Sequence, residues 1–138
     1  MSQVVTVQGV QSSRRPRILI VEDDSGMRRS MQLLLQGRGF DVRAYAAADP
    51  MLLDEELPQA ACLVVDYLLG DRDGLSVLGS LRKLGWRGPA ILITAHATDE
   101  LRRSATGAGF SAFLEKPFKE HILVNTVTSL AASSGSDA

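Results

Sequence analysis

The sequence predicts a doubly wound α/β fold, a five-stranded parallel sheet with helices on both faces. Apolar runs rich in Val, Ile and Leu occur at Ile18 to Val21, Ala61 to Val65 and Ile91 to Ile93, separated by segments with helical apolar spacing. Each run ends on oxygen-bearing side chains: Glu22, Asp23 and Asp24 after the first, Asp66 after the second, Thr94 after the third. Strands buried on both faces of a sheet read as continuous apolar runs, and ligands of such sheets bind outside the strands' carboxyl ends.

The elements follow in order. Residues 1–16 mix valine with polar residues and read as a flexible N-terminal extension, with Val4 to Val7 as an alternative edge strand or dimer strand. A first strand runs from Arg17 to Glu22. Ser25 is placed to cap a helix that carries Met27, Met31, Leu34 and Leu35 on one face, and Gly37 and Gly39 stop it. Phe40 to Tyr45 is a second strand. A short helix over Pro50 to Glu56, with Pro50 suited to its first turn, ends at Pro58.

Ala60 to Asp66 is the third strand and Tyr67 to Asp73 a loop, after which Leu75, Leu78, Leu81 and Leu84 mark a third helix. Gly85, Gly88 and Pro89 form the next turn, with Trp86 as a packing lid. Ala90 to Thr94 is the fourth strand. It leads to a helix from Asp99 to Thr106, capped by Thr98, with Leu101 and Ala105 inward and Arg102 and Arg103 outward. Phe110 to Leu114 is the fifth strand. A last helix after Pro117 carries Ile122, Leu123, Val127 and Leu130, and residues 133–138 read as a polar tail. The chain therefore divides into an extension (1–16), one domain (17–132) and a tail (133–138).

Composition narrows the function. The chain has 138 residues, 45% of them hydrophobic, which suits a single domain with one core system. A formal net charge of -1 supplies no field for nucleic acid or an anionic membrane; Arg14, Arg15 and Arg17 read as a solvated lead-in to the first strand. The one cysteine, Cys62, sits in an apolar run and reads as a core residue of a reduced, cytoplasmic protein. No apolar run approaches the ~18 residues that span a membrane, and the start lacks the charge order of a signal peptide.

The chemistry lies at the strand ends. Glu22, Asp23 and Asp66 at the ends of neighbouring strands would converge, and two such charges ~4 Å apart repel by roughly 4 kcal/mol at an effective dielectric of about 20. The site must protonate or recruit a cation, and hard oxygen ligands without His or Cys favour Mg2+ over zinc. Beside a metal, the Asp66 carboxylate can attack a phosphoryl group if the charge on the phosphoryl oxygens is offset. Lys116, in FLEKPF, offers an ammonium at the same rim, and Thr94 a hydroxyl donor. Singly, Lys116 reads as a surface lysine, Thr94 as a strand threonine and the acid trio as a helix N-terminal charge cluster. Their joint placement at successive strand ends gives the set its weight.

These residues resemble the receiver domain of bacterial two-component response regulators over Arg17 to Leu130. The likeness includes the acid pair in ILIVEDD, the aspartate in LVVDYLLGDRDG with Gly74 at the expected distance, Thr94 in LITA, and KP in FLEKPF. It implies the flavodoxin-like receiver fold with strand order 2-1-3-4-5. It further implies that Asp66 is the phosphoacceptor, Asp23 a direct Mg2+ ligand, Glu22 an acid that holds the metal through water, and Leu68 a backbone carbonyl ligand. Lys116 and Thr94 would hold the phosphoryl group, Phe113 would turn inward as Thr94 moves, and the bond from Lys116 to Pro117 would be cis.

The same likeness implies a phosphorylation-dependent switch rather than a dedicated enzyme, one that catalyses only its own phosphorylation and dephosphorylation. Its donor would be a histidine kinase or a histidine phosphotransfer protein. As a stand-alone receiver it would act through a protein partner or a homodimer formed by the last two strand-helix units, with Arg102, Arg103, Phe113 and the last helix as the contact surface. No direct DNA binding is expected.

Departures and rivals bear on this. Gly70 stands where the family usually has proline, which loosens the Tyr67 to Asp73 loop. Leu68 and His96 occupy positions that modulate dephosphorylation in the family; apolar Leu68 cannot order a water, whereas His96 reads as a plain loop residue or a water-orienting one. His121 reads as solvated. A Mg-dependent phosphohydrolase of the haloacid dehalogenase type needs a second acid two residues beyond its nucleophile, where this chain has Leu68. A flavodoxin-like nucleotide binder needs a phosphate-cradling loop after the first strand, where Glu22 and Asp23 would repel the phosphate. A receiver whose output domain is a separate chain is the remaining alternative.

Overall fold

The computed structural model describes residues 15–70 and 72–136. The N-terminal extension, up to residue 14, lies outside the described residues. The elements alternate as β1 (Arg17–Val21), α1 (Ser25–Gln36), β2 (Asp41–Tyr45), α2 (Ala48–Leu52), β3 (Ala60–Asp66), α3 (Gly74–Lys83), β4 (Ala90–Thr94), α4 (Asp99–Ala108), β5 (Ala112–Glu115) and α5 (Glu120–Ser136). The five strands pair in parallel, as the apolar runs predict, in the order β2-β1-β3-β4-β5 that the resemblance implies.

Alternation along the strands splits the core in two. Leu19, Val21, Leu63, Val65 and Leu92 face α2, α3 and α4, whereas Ile18, Ile20, Cys62, Val64, Ile91 and Ile93 face Met31 and Leu35 of α1 and Leu123 and Val127 of α5. Burial pushes the Cys62 thiol up to about 12, so it is an inert core residue. Trp86 is the expected lid: it is buried and its indole N–H donates to the Ala60 carbonyl at 3.0 Å.

Several boundaries differ from the sequence reading, each for a local reason. The cap of α1 is Asp24, not Ser25; its carboxylate accepts the Met27 N–H at 2.7 Å. Helix α2 starts at Ala48 and ends at Leu52. Beyond it, Asp54 accepts the Tyr45 hydroxyl at 2.6 Å and the Glu56 N–H at 2.9 Å, a local pairing that competes with helix, and a 3-10 turn over Leu57–Gln59 carries Pro58. Strand β5 begins at Ala112, because Gly109 at φ 105° closes α4 and the Phe110 N–H returns to the Ala105 carbonyl. In α5 the inward face is Leu123, Val124, Val127 and Ala131, leaving Ile122 exposed. The backbone expected to leave as a tail at Ser133 stays helical to Ser136, with no glycine or proline before Gly135.

One glycine sets the distance between α3 and the end of β3. A Cβ on Gly74 would lie 2.7 Å from the Asp66 carbonyl oxygen and 2.7 Å from Leu92 Cδ1, while the Gly74 N–H donates to the Tyr67 carbonyl at 2.8 Å. Gly79, on the same helix, has open space around it. Gly74→Ala is expected to destabilise by about 1–3 kcal/mol, because backbone must shift, while Gly79→Ala stabilises by about 0.5–1 kcal/mol. Chemical denaturation of the two variants checks the opposite signs.

Candidate functional site at the carboxyl rim

Three neighbouring strand ends build the site. Val21 is paired with Val65, so β1 and β3 stop side by side and project Glu22 and Asp66 together. Oxygens of Glu22, Asp23 and Asp66 lie within 4.8 Å of one another, with Glu22 and Asp66 buried and Asp23 exposed. Asp24 is drawn off to cap α1. On the other side of β3, β4 ends at Thr94, whose carbonyl accepts the Lys116 N–H at 2.7 Å as the chain leaves β5. The Lys116–Pro117 bond is cis, as the resemblance implied.

Lys116 closes the cluster. Its ammonium donates to Glu22 Oε1 at 2.7 Å and to Asp66 Oδ2 at 2.8 Å. Asp66 Oδ1 accepts the Leu68 N–H at 3.2 Å, and Glu22 Oε2 accepts the Asp24 N–H at 3.1 Å. Asp23 leaves the rim open to solvent. With the three acids ionised and Lys116 charged, the cluster retains net negative charge. Its donors are all carboxylate oxygens, a set suited to a hard divalent cation that keeps some of its waters.

Burial raises Glu22 to about 7, with Asp66 adding to the rise and Lys116 and the Asp24 N–H opposing it. Burial alone would lower Lys116, but its hydrogen bonds to Asp66 and Glu22 carry it above the usual lysine value. The buried Thr94 hydroxyl accepts the His96 N–H at 3.1 Å, which places the His96 backbone, rather than its exposed ring, against the site. Leu68 is exposed and Phe113 half-buried, with the Arg102 guanidinium 4.5 Å from the Phe113 ring centroid.

Two supporting residues escaped the sequence reading. Arg28 donates to the Glu22 carbonyl at 2.8 Å, fixing the turn that carries the acids. Asp73 caps α3 by accepting the Ser76 N–H at 2.8 Å. An aspartate directly before a helical pattern is a legible cap signal; an arginine that reaches back to a carbonyl leaves none.

A doubly wound α/β protein with an acid cluster and a lysine at its carboxyl rim is thus the class that fold and site define. The family model described as the response regulator receiver domain matches residues 18–128. This chain belongs to that family. It is 33% identical to Nodulation protein W of Bradyrhizobium diazoefficiens over 117 residues, 85% of this chain and 52% of that protein. Among solved structures it is similar to FixJ-N (28% identity, TM-score 0.74, covering 87% of this chain and 95% of that one) and to the BeF3-activated DrrB receiver domain (26%, TM-score 0.77, 85% and 97%). The chain spans about half the length of the first curated relatives it matches. Among the described residues, no helix is long and apolar enough to cross a membrane.

The raised Glu22 value gives a pH dependence with a definite sign. A carboxyl whose folded-state value exceeds its ordinary 4.5 contributes stability that is present below that value and lost as pH rises to about 7. Chelator-treated protein is therefore expected to lose roughly 2–3 kcal/mol between pH 5 and pH 8, roughly 6–9 °C in Tm. Glu22→Gln should flatten that slope in thermal melts.

Proposed function

We propose that this chain is a phosphorylation-dependent signalling switch in which Asp66 accepts a phosphoryl group from a phosphohistidine, with Mg2+ as cofactor. The observation that carries the reading is the contact of Lys116 with both Glu22 and Asp66 inside a cluster of three carboxylates. Glu22, Asp23, Asp66 and the Leu68 carbonyl would hold the ion, which supplies charge neutralisation to the phosphoryl oxygens.

In the transfer, an Asp66 oxygen attacks phosphorus while the phosphorus–nitrogen bond to the donor imidazole breaks, its electron pair leaving with the imidazole. The product is an acyl phosphate, a mixed anhydride on Asp66. Lys116 sits where its ammonium balances charge growing on the phosphoryl oxygens, and the Thr94 hydroxyl donates to another of them. One of the two Lys116 contacts is with Asp66, the carboxylate that the transfer alters, so the new phosphoryl charge competes for Lys116. Thr94 and Phe113 would then carry the change to α4, β5 and α5.

Leu68 favours a switch over a hydrolase. Its side chain is apolar and exposed, so no second acid stands two residues after Asp66 to activate a water. The chain would catalyse only its own phosphorylation and dephosphorylation. We assign the donor as a histidine kinase or histidine phosphotransfer protein in the cytoplasm. Output would pass through a protein partner or homodimer at the surface formed by exposed Arg102 and Arg103, Phe113 and α5.

Acetyl phosphate with Mg2+ is expected to add one phosphoryl group per chain, read by intact-protein mass, and none to Asp66→Asn. Lys116→Ala should slow labelling at least tenfold. Equal labelling of Asp66→Asn, or steady multiple turnover of a phosphate ester dependent on Asp66, would overturn the switch reading.

A further inference from the structure

The loop between β3 and α3 has a glycine, Gly70 at φ 78°, and among the described residues its hydrogen bond to the Asp66 carboxylate runs from the Leu68 N–H to Oδ1 at 3.2 Å. Whatever fixes this loop therefore sets the Leu68 peptide and, together with Lys116 on Oδ2, the orientation of the carboxylate. Within the loop, the Leu69 N–H donates to the Arg72 carbonyl at 3.1 Å, and Leu68 and Asp73 form a bridge. The half that carries Leu68 thus hangs on the half that carries Arg72.

Arg72 in turn is anchored outside the loop. Its guanidinium lies along α3, donating from Nε to Ser76 Oγ at 3.2 Å and from Nη2 to the Ser76 carbonyl at 2.9 Å and Ser80 Oγ at 2.7 Å. These contacts span successive turns of one helix, which a planar fork reaches and a single ammonium does not. Ser76 is itself fixed from the loop side, its hydroxyl donating to the Asp73 carbonyl at 2.8 Å. The ion pair with Asp49, 3.5 Å away and 75% exposed on the Asp49 side, adds little by comparison.

We propose that Arg72 is a positioning residue: by clamping the loop to α3 it holds the Leu68 peptide against Asp66, supplying the stiffness that Gly70 withholds. The consequence for Mg2+ rests on the functional reading above; the clamp itself rests on the loop geometry alone.

Amide hydrogen exchange and calorimetric Mg2+ titration of the wild type, Arg72→Ala, Arg72→Lys and Ser80→Ala test it on the full chain. In Arg72→Ala, exchange at Leu68 and Leu69 is expected to quicken at least tenfold while Val64 and Val65 on β3 stay protected, and the Kd for Mg2+ to rise at least threefold. Arg72→Lys should restore neither fully, and Ser80→Ala should shift both in the same direction by less. Unchanged exchange at Leu68 and Leu69 in Arg72→Ala overturns the clamp, and faster exchange with unchanged Mg2+ affinity overturns its positioning role. If the wild type binds no Mg2+, the functional reading fails instead, and the exchange data still decide the clamp.

Discussion

Everything at the carboxyl rim depends on the crowding of three carboxylates. At ~4 Å and an effective dielectric of about 20, each like-charged pair costs roughly 4 kcal/mol. Two of the acids, Glu22 and Asp66, are also buried, so water cannot screen them. The fold answers with Lys116, which reaches both, but one ammonium does not balance three acids. A site left with residual negative charge and an open side at Asp23 attracts a cation. A lysine already shared between two carboxylates can turn toward a newly arrived anion.

The doubly wound topology enforces that crowding at little local cost. Parallel strands β1 and β3 end in register, so their first polar residues meet at the rim. Neighbouring loops are stiffened by bonds to backbone: Arg28 holds the Glu22 carbonyl, Asp24 caps α1, Asp73 caps α3, and the Lys116 N–H is tied to Thr94. Gly74 lets α3 approach the Asp66 carbonyl closely. The rim is thus assembled from strand ends, and the helices determine how far each side chain can wander.

Much of this was legible in the sequence because it follows from pattern. Continuous apolar runs gave β1, β3 and β4 almost to the residue, since a buried parallel strand has no solvent face to interrupt it. Glu22, Asp66, Thr94 and Lys116 stand out in the sequence because each directly follows or ends a strand, and Asp23 because it comes next after Glu22. Less legible were places where side chains compete with the backbone. Asp54 shortens α2 through its bonds to Tyr45 and Glu56, and Asp24 displaces Ser25 as a cap. Nor could the pattern say that Lys116 would bridge Glu22 as well as Asp66, because that depends on register across β1 and β3. Arg72, in a loop rich in charge, has no periodic signature at all; its role exists only in its distance to Ser76 and Ser80.

The proposed switch turns on which atom carries the phosphoryl group. Treating acetyl phosphate-labelled protein with borohydride reduces an aspartyl phosphate to homoserine, and peptide mass mapping then locates the residue. Homoserine at position 66 and nowhere else is the predicted result. Label recovered on Glu22, Asp23 or either histidine, with Asp66 intact, would contradict it.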